Sequence, residues 1–259
     1  MFVHYRTQGF ILKKVDRGEN NQLFTIYTKD FGKLEILGKA IRKIKSKLRG
    51  GTDIFYLSDI EFIQGKTHKT LTDAILIEKF ENIRKDYNPP TASSQPSAGP
   101  LGKLKIAYKI AEIFDELVRE QEKDETLWNL LNETFQKLNN CSLPTVHRSL
   151  IYYYFLWNLF SILGYQPELY KCSLCQKKLV AGNLYFSPKE GGVICTPCFK
   201  KNKQGKKITP ETIKIIRIFL KQDWRTLKKI NVNSDDLKSL KITSDYFLLF
   251  LRESIVGSI

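Results

Sequence analysis

Four cysteines are the residues whose types and spacing point most directly to chemistry. Cys172 and Cys175 form one C-x2-C pair, and Cys195 and Cys198 form a second pair after nineteen intervening residues. Two residues between thiols let both sulfurs face one point, and this gap suits a hairpin that brings two pairs around a tetrahedral Zn²⁺. Four thiolates leave no open coordination position. The spacing therefore predicts one structural zinc ion per chain, not metal-assisted catalysis.

Chance thiols or two disulfides are the alternative for these cysteines, although their spacing falls within the range typical of zinc sites. The fifth cysteine, Cys141, has no obvious partner and is interpreted as a buried or idle thiol. Thiols kept for a metal indicate a reducing compartment, so we expect a cytoplasmic protein.

Composition is that of a globular protein, with 42% hydrophobic and 12% aromatic residues in 259. That length is sufficient for two domains. The most apolar run, residues 150–165, contains Asn158 and Ser161. It is shorter than the roughly 20 residues that cross a bilayer, so we predict a buried core helix and no membrane association. Residues 1–15 alternate polar and apolar side chains and lack the apolar stretch of a signal peptide.

Positive charge is concentrated in two regions. The formal net charge is +15; residues 1–50 carry twelve basic and four acidic residues (+8), and residues 161–210 carry nine and two (+7). The intervening residues 51–160 carry twelve and fifteen (−3). This distribution favours a polyanion bound at defined surfaces, with a generally basic, solubilising surface as the alternative.

The strongest basic segment spans residues 39–49, which hold six cations and no acid. It follows a predicted strand and runs into two glycines, so we expect a mobile loop. Loops of this kind beside a small barrel contact phosphates, while aromatic side chains on the sheet stack on bases. The predicted nucleic-acid contacts are Lys39, Arg42, Lys43, Lys45, Lys47 and Arg49. The candidate stacking residues are Tyr27, Phe55 and Tyr56, although core packing is the more common role for each of them taken individually.

A second basic run, residues 200–207, follows the last cysteine directly. It is interpreted as an extension of the nucleic-acid surface, a site for an acidic protein tail, or an ordinary solvated loop.

The hydrophobic pattern divides the chain into a strand-rich and a helix-rich part. Alternating segments separated by glycine-bearing turns predict a small barrel or sandwich. The predicted strands are residues 7–14, 22–29, 33–40, 54–64 and 69–77. After residue 80 the period changes to that of helices. The predicted helices are residues 103–121, 125–138, 145–163, 211–220 and 234–253.

These patterns predict an α+β protein with a barrel domain at residues 1–80 and a helical domain at residues 81–259. Residues 88–100 contain four prolines and three serines and are predicted to form a flexible loop. The cysteines place a metal-bound module at residues 170–200. We find no phosphate-binding glycine loop, nucleophile motif or convergent set of carboxylates, so no catalytic residues are predicted.

The order of several short motifs resembles the RecO family of bacterial recombination mediators. In the N-terminal half the resemblance is carried by Gly9-Phe10-Ile11-Leu12, Gly18-Glu19, residues 28–33, Gly38-Lys39-Ala40-Ile41-Arg42-Lys43, residues 46–48 and residues 71–74. In the C-terminal half it is carried by residues 163–167, Cys172, Cys175, residues 185–187, residues 191–195 and Cys198. No single motif is specific, but their order and spacing together are.

The resemblance implies an N-terminal OB-fold followed by a helical domain with a zinc-finger-like insertion. It also implies a non-enzymatic DNA repair protein that binds single- and double-stranded DNA and anneals complementary strands. The implied partners are RecR and the C-terminal tail of the single-stranded DNA-binding protein, in a pathway that loads RecA at the bacterial nucleoid. The four cysteines would hold Zn²⁺, and the cations of residues 39–49 would contact DNA.

Two departures from the family pattern bear on these expectations. Asn20 and Asn21 stand where an acid often follows Gly-Glu, and Gln176 and Phe199 stand where zinc knuckles often have glycine. Two rival functions remain open: a zinc-ribbon module in transcription or RNA metabolism, and a nuclease with an unrecognised metal site.

Overall fold

The computed structural model describes residues 3–85, 102–119, 122–141, 145–230 and 232–256. Contacts divide the chain into two compact units, Met1–Ser149 and Leu150–Ile259. The predicted flexible loop at residues 88–100 lies outside the described residues. The predicted domains, residues 1–80 and 81–259, stay a prediction.

A closed five-stranded barrel forms the start of the first unit. Its strands are β1 (His4–Arg17), β2 (Asn21–Thr28), β3 (Gly32–Gly38), β4 (Leu57–Gln64) and β5 (Lys69–Glu78). They follow one another around the barrel in the order β1-β2-β3-β5-β4. All pairs are antiparallel except β3 and β5, which are parallel. The predicted OB-like barrel is therefore confirmed, and it arises from five strands with alternating inward apolar residues.

The barrel interior is a compact apolar cluster. Its buried members are Ile11, Phe24, Ile26, Leu34, Ile36, Ile41, Ile60, Phe62, Leu71 and Ala74. The turn between β2 and β3 is tight because Gly32 has φ of 62°, a left-handed conformation that glycine adopts without steric cost. Between β3 and β4 the chain forms turns and a short 3₁₀ helix, Lys47–Gly51.

Three helices of the same unit cover part of the outer surface of the barrel. They are α1 (Glu81–Lys85), α2 (Lys103–Leu117) and α3 (Glu125–Asn139). Phe10 and Tyr27, neighbours across β1 and β2, contact Trp128 of α3 with ring centroids 5.1 and 6.5 Å apart. Phe114 of α2 packs edge-on against Tyr27 at 4.7 Å. Strands β1 and β2 are consequently buried on both faces here, so the helices after residue 80 share a core with the barrel.

The second unit begins within α4 (Thr145–Ile162) and is built around residues 150–162 of that helix, which are apolar nearly all round. Helices α6 (Pro210–Leu220), α7 (Trp224–Lys229) and α8 (Ser234–Val256) follow later in the chain. Two polar side chains are satisfied inside this core: Trp157 Nε1 donates to Ser244 Oγ at 3.0 Å, and Asn158 Nδ2 donates to the Phe219 carbonyl at 3.0 Å. No helix in the described part of the chain is long and apolar enough to cross a membrane.

The cysteine-bearing module lies between α4 and α6. It contains β6 (Leu184–Ser187), β7 (Gly192–Cys195), α5 (Thr196–Asn202) and β8 (Lys206–Ile208), with the strands ordered β7-β6-β8. Phe186 of β6 anchors the module to the helices, since its ring contacts Trp157 at 5.8 Å and Phe247 at 5.4 Å. The small sheet thus has one face buried in the helical core.

Candidate metal centre and nucleic-acid interface

The four predicted cysteines meet at one point. Cys172 and Cys175 lie in a turn closed by the bridge between Lys171 and Lys178, whereas Cys195 ends β7 and Cys198 lies in α5. All four Sγ atoms lie within 4.8 Å of one another. Cys175 Sγ and Cys195 Sγ are 3.8 Å apart, close to the roughly 3.8 Å edge of a tetrahedron with metal–sulfur bonds of about 2.3 Å. All four are free thiols, so this arrangement can hold a metal ion and contains no disulfide.

Backbone N–H groups prepare one of these thiols for a metal. Burial raises the pKa of Cys172, but hydrogen bonds from the N–H groups of Cys175, Cys195 and Leu174 outweigh burial and bring that pKa to about 6. The hydrogen bond shared with Cys195 raises the pKa of Cys198 to about 12. Four adjacent thiolates repel one another, so a cation among them would complete the charge balance.

The two knuckle turns use different backbone geometries. Gln176, after the first pair, has φ of 58°, and its N–H donates to the Cys172 carbonyl at 2.9 Å. This is the left-handed position for which glycine is favoured. Phe199, after the second pair, lies inside α5 and needs no glycine. The departure from the family pattern therefore carries a backbone cost at Gln176 alone.

The predicted basic segment is a series of turns anchored at both ends. Ile41 is buried in the barrel core, and Leu48 packs against that core from the 3₁₀ helix. Between them Ile44 is 92% exposed. Gly51 ends the 3₁₀ helix so close to β5 that a Cβ there would lie 2.3 Å from the Ala74 carbonyl oxygen. The six predicted cations, Lys39, Arg42, Lys43, Lys45, Lys47 and Arg49, are all exposed.

The turn between β1 and β2 holds the start of this segment. Asn21 Oδ1 accepts from the N–H of Ala40 at 2.8 Å, and the Asn20 carbonyl accepts from the N–H of Arg42 at 3.1 Å. Ala40 has φ of 52°, a strained conformation that these bonds hold in place. The Arg42 guanidinium also pairs with Asp16 at 3.1 Å. Asn20 and Asn21 therefore position the basic segment.

A groove of about 620 Å³ lies beside the basic segment. Its lining includes Arg42 and Arg49 of the segment, Lys14 of β1, Lys79 after β5, and the ring of Tyr56. One acid, Asp53, also lines the groove. Its carboxylate binds Lys14 Nζ at 2.5 Å and an Arg84 guanidinium N–H at 2.7 Å. The groove thus combines several cations with an aromatic ring, the combination on which single-strand-binding grooves rely.

Two of the three candidate stacking residues, Tyr27 and Phe55, follow the core-packing alternative. Tyr27 is 0% exposed and Phe55 is 1% exposed. Tyr27 packs against α2 and α3, and Phe55 packs against Tyr108 and Phe135 at 4.8 and 5.6 Å. Both contribute to the core between barrel and helices because those helices cover the outer strand faces. Tyr56 alone borders a groove, with the Arg84 guanidinium 4.6 Å from its ring centre.

Sequence reasoning missed a second groove of about 650 Å³ on the β2–β3 face of the barrel. Its cations are Arg17, Lys33, Lys69 and Arg119, and Glu35 and Asp115 are its acids. OB-folds bind oligonucleotides on this face and on the flanking loops. The sequence could have indicated this groove if the residues at alternate, outward-facing positions of the predicted second and third strands had been identified. Lys33 is already occupied, because its Nζ contacts the Asp115 carbonyl at 2.6 Å and Oδ1 at 3.2 Å.

The comparisons with known proteins decide the family. The chain matches the family model for the N-terminal part of recombination protein O over residues 1–80. It matches the model for the C-terminal part over residues 101–253. The chain belongs to the RecO family. This confirms the resemblance and assigns the chain to a family of DNA repair and recombination proteins.

Curated RecO proteins match over nearly the whole chain. A protein named DNA repair protein RecO from Dehalococcoides mccartyi strain CBDB1 is 30% identical over 249 residues, covering 96% of this chain and 91% of the relative. RecO from a Thermoanaerobacter species is 30% identical, covering 88% of this chain and 84% of the relative. RecO from Halalkalibacterium halodurans is 25% identical, covering 92% and 85%. The resemblance therefore includes both compact units.

Proposed function

We propose that this RecO family member is a non-enzymatic mediator that binds single- and double-stranded DNA and anneals complementary strands. The observation that supports the proposal is the groove beside the basic segment, which Arg42, Arg49, Lys14 and Lys79 line together with Tyr56. The remaining cations of the segment are exposed. Cations of this density neutralise phosphates and release counterions, and the ring adds contact with an unpaired base.

Annealing requires no bond chemistry in this proposal. Two complementary strands repel one another through their phosphates, and a protein that neutralises one strand lowers the barrier to their encounter. Lys39, Lys43, Lys45 and Lys47 would track the backbone, while Arg42 remains available because its partner Asp16 is itself exposed. Exposed ion pairs of this kind are worth about 1 kcal/mol or less, so a phosphate can displace the carboxylate.

The metal in this proposal is one structural Zn²⁺ per chain. Cys172, Cys175, Cys195 and Cys198 would be its ligands, since four thiolates in tetrahedral reach are the donor set that zinc prefers. Bound zinc would tie the first knuckle to α5. A closed four-thiolate site supplies no activated water, so its role is to hold the module folded.

We further propose the partners that family membership suggests: RecR, and the C-terminal tail of the single-stranded DNA-binding protein. With RecR, the chain would help RecA replace that protein on single strands. This activity belongs at the bacterial nucleoid in the cytoplasm.

The first experiment measures single-strand affinity after charge reversal of the basic segment. Replacing Arg42, Lys43, Lys45 and Lys47 by Glu should abolish binding at moderate salt. The matched control reverses four exposed cations elsewhere, Lys105, Lys123, Lys229 and Lys241. It has the same net charge and should lose only the weak, nonspecific attraction. Unchanged affinity in the segment variant would contradict the assignment.

The second experiment follows annealing of complementary oligonucleotides that are coated with the cognate single-stranded DNA-binding protein, without ATP. Faster annealing supports the mediator function. Strand binding without acceleration, together with a preference for RNA over DNA, would favour a role in transcription or RNA metabolism instead.

A further inference from the structure

A stacked pair of aromatic rings lies on the cysteine-bearing module, outside the hydrophobic core. Tyr185 of β6 and Phe199 of α5 have ring centroids 3.6 Å apart and planes only 4° from parallel. Both rings are partly exposed. The neighbours of Tyr185 in β6, Leu184 and Phe186, are buried on the opposite face. The helical core therefore does not account for this pair.

Lysines flank the stacked pair on both elements. Lys207 of β8 is directly opposite Tyr185 in the sheet, so the two side chains share a face. Lys203 is the C-cap residue of α5, and Lys200 follows Phe199 directly in the chain. All three lysines are exposed, and none forms an ion pair with an acid in the described part of the chain. These cations therefore remain available to an external ligand.

The charge of the whole module has the same sign. Residues 170–208 contain nine lysines and one acid, Glu190, a net charge of +8. The Glu190 carboxylate is engaged by the side-chain amide of Asn202 at 2.9 Å. Lys206 is also engaged, with its Nζ 4.6 Å from the centre of the Tyr246 ring. A polyanion would therefore meet little opposing charge at the Tyr185–Phe199 surface.

We propose that Tyr185 and Phe199, with Lys200, Lys203 and Lys207, form a second binding site for single-stranded nucleic acid. A base stacks on the aromatic pair, and the three ammonium groups contact the flanking phosphates. Base-paired DNA does not present free base faces, so the site selects unpaired strands. An acidic peptide would use the lysines but gains little from two parallel rings, and for that reason nucleic acid is the better match.

This site deepens the proposed function and rests on it. Annealing brings two strands together, and the groove beside the basic segment accounts for one of them. The Tyr185–Phe199 site gives the same chain a place for a second strand. Because α5 carries both Cys198 and Phe199, a metal bound by the cysteines would also hold the Phe199 ring in place for binding.

Photocrosslinking tests the site directly. The full zinc-loaded chain is irradiated with an oligo-dT in which 5-iodouracil replaces thymine at several positions, and crosslinked peptides are identified by mass spectrometry. The expected result is a crosslink at Tyr185 or Phe199 in addition to crosslinks within residues 1–80. Crosslinks confined to residues 1–80 would overturn the proposal.

Substitutions measure what the stack contributes. At low salt, where the chain with the four Glu reversals should retain weak oligo-dT binding through this second site, Tyr185→Leu should weaken that residual binding about tenfold, the loss expected when one stacked base is removed. Replacing both Lys203 and Lys207 by Gln should make binding less sensitive to salt. The slope of log affinity against log salt concentration should decrease in magnitude by about 0.7 for each lost phosphate contact. The control is Tyr165→Leu, which alters another exposed tyrosine of the same unit.

Zinc content is measured for every variant, so that loss of the module is not mistaken for loss of the site. If the unaltered chain binds no oligo-dT, the proposed function fails. If it binds through the basic segment while Tyr185→Leu has no effect in either background, this site alone is refuted. Retained oligo-dT affinity together with tight, Tyr185-independent binding of a poly-glutamate peptide would assign the lysines to an acidic protein instead.

Discussion

Gln176 adopts a left-handed conformation immediately after Cys175, the second cysteine of the first pair. For a residue with a Cβ this conformation costs roughly 1–2 kcal/mol of conformational free energy, whereas for glycine the cost is small. The side-chain amide of Gln176 donates to the Ser173 carbonyl at 3.1 Å, which offsets part of the cost. The knuckle therefore stores backbone strain at one identifiable position.

Gln176→Gly should strengthen metal binding by the module. We expect a gain of about 0.5–1 kcal/mol, because the strain is relieved at the expense of some entropy in the unfolded chain. Competition with a chromogenic zinc chelator measures it. Gln176→Val should have the opposite effect, and Phe199→Leu serves as a control because Phe199 is helical. Weaker zinc binding by Gln176→Gly would contradict the strain argument.

Asp53 links the groove beside the basic segment to α1. Burial raises the pKa of its carboxyl, but hydrogen bonds from Arg84, Lys14 and the Ile54 N–H outweigh burial and leave that pKa at about 2. The folded pKa is thus below the unfolded value of about 3.9. Stabilisation by this carboxylate is complete above pH 5 and is lost as the pH falls from about 4 to 2.

Asp53→Asn should lower the free energy of unfolding by about 1–2 kcal/mol at pH 7. The shift alone corresponds to a larger value, but the side chain is 35% exposed and solvent screens its ion pairs. Urea denaturation of the unaltered chain and of Asp53→Asn between pH 7 and 3 measures the free energy of unfolding of each. The difference between the two values should become smaller as the pH falls. Asp235→Asn, at an 87% exposed site, should change stability by less than about 0.5 kcal/mol. A pH-independent difference would contradict the assigned pKa.

The sequence allowed a better prediction of the clustered cysteines than of the stacking residues, and the reason is physical. Chelation depends on spacing that is local in sequence, so the four cysteines could be identified directly. Whether Tyr27 and Phe55 face solvent depends on Phe114, Trp128 and Phe135, far away in the chain. Strand alternation alone does not reveal that helices cover the second face.

At the scale of elements, hydrogen bonds join the β1–β2 turn to the basic segment. The Asn21 side chain bonds to the Ala40 N–H, and the Asn20 main chain bonds to the Arg42 N–H. Asn21 also lines the groove on the β2–β3 face. A change in the position of this turn would therefore move the backbone of the basic segment, which carries the cations that we propose to contact DNA.

Asn21→Ala should weaken single-strand binding about fivefold without altering its salt dependence. The substitution removes one hydrogen bond worth about 1 kcal/mol and no charge, so fewer chains hold the segment in its binding geometry. Fluorescence anisotropy at several salt concentrations measures both quantities. Asn20→Ala is the matched control, because Asn20 contributes its carbonyl. Equal effects of the two substitutions would contradict a positioning role for Asn21.

Long elements were predictable and short ones were not. The five strands and the long helices agree with the sequence pattern to within a few residues, because each displays several turns or pleats of its period. The 3₁₀ helix Lys47–Gly51 and the helix Trp224–Lys229 are too short to establish a period. Residues 54–56, predicted as strand, form a turn in which Phe55 has φ of 61°.

At the scale of the whole molecule, each of the two compact units has buried apolar side chains of its own. The barrel cluster around Ile26 and Ile60 contains no residue of the second unit, and Phe186 joins the cysteine-bearing module to Trp157 and Phe247. A perturbation of the metal site is thus expected to remain within the second unit.

Metal removal should unfold the cysteine-bearing module and leave the barrel folded. Structural zinc contributes on the order of 10–16 kcal/mol of binding free energy in small modules. This segment of three strands and one helix buries only a small set of apolar side chains: Leu184, Phe186, Val193, Ile194 and Ile208. Hydrogen exchange with mass spectrometry, with and without a strong chelator, should show lost protection at residues 170–208 and unchanged protection in β1–β5. Loss of protection throughout the chain would indicate coupled units. Much less than one zinc per chain in protein purified without chelators would refute the metal site itself.

The barrel is closed along one side by two parallel residue pairs, Ile36 with Lys69 and Leu37 with Thr70. The other strand pairings involve longer antiparallel ladders, mostly between strands close in sequence. Joining β3 to β5 closes a long loop and gains only two residue pairs, so we expect this pairing to form late in folding. The meander β1–β3 and the hairpin β4–β5 should consequently form first. The groove on the β2–β3 face, which includes Leu37 and Lys69 on either side of this seam, comes into existence only when the barrel closes.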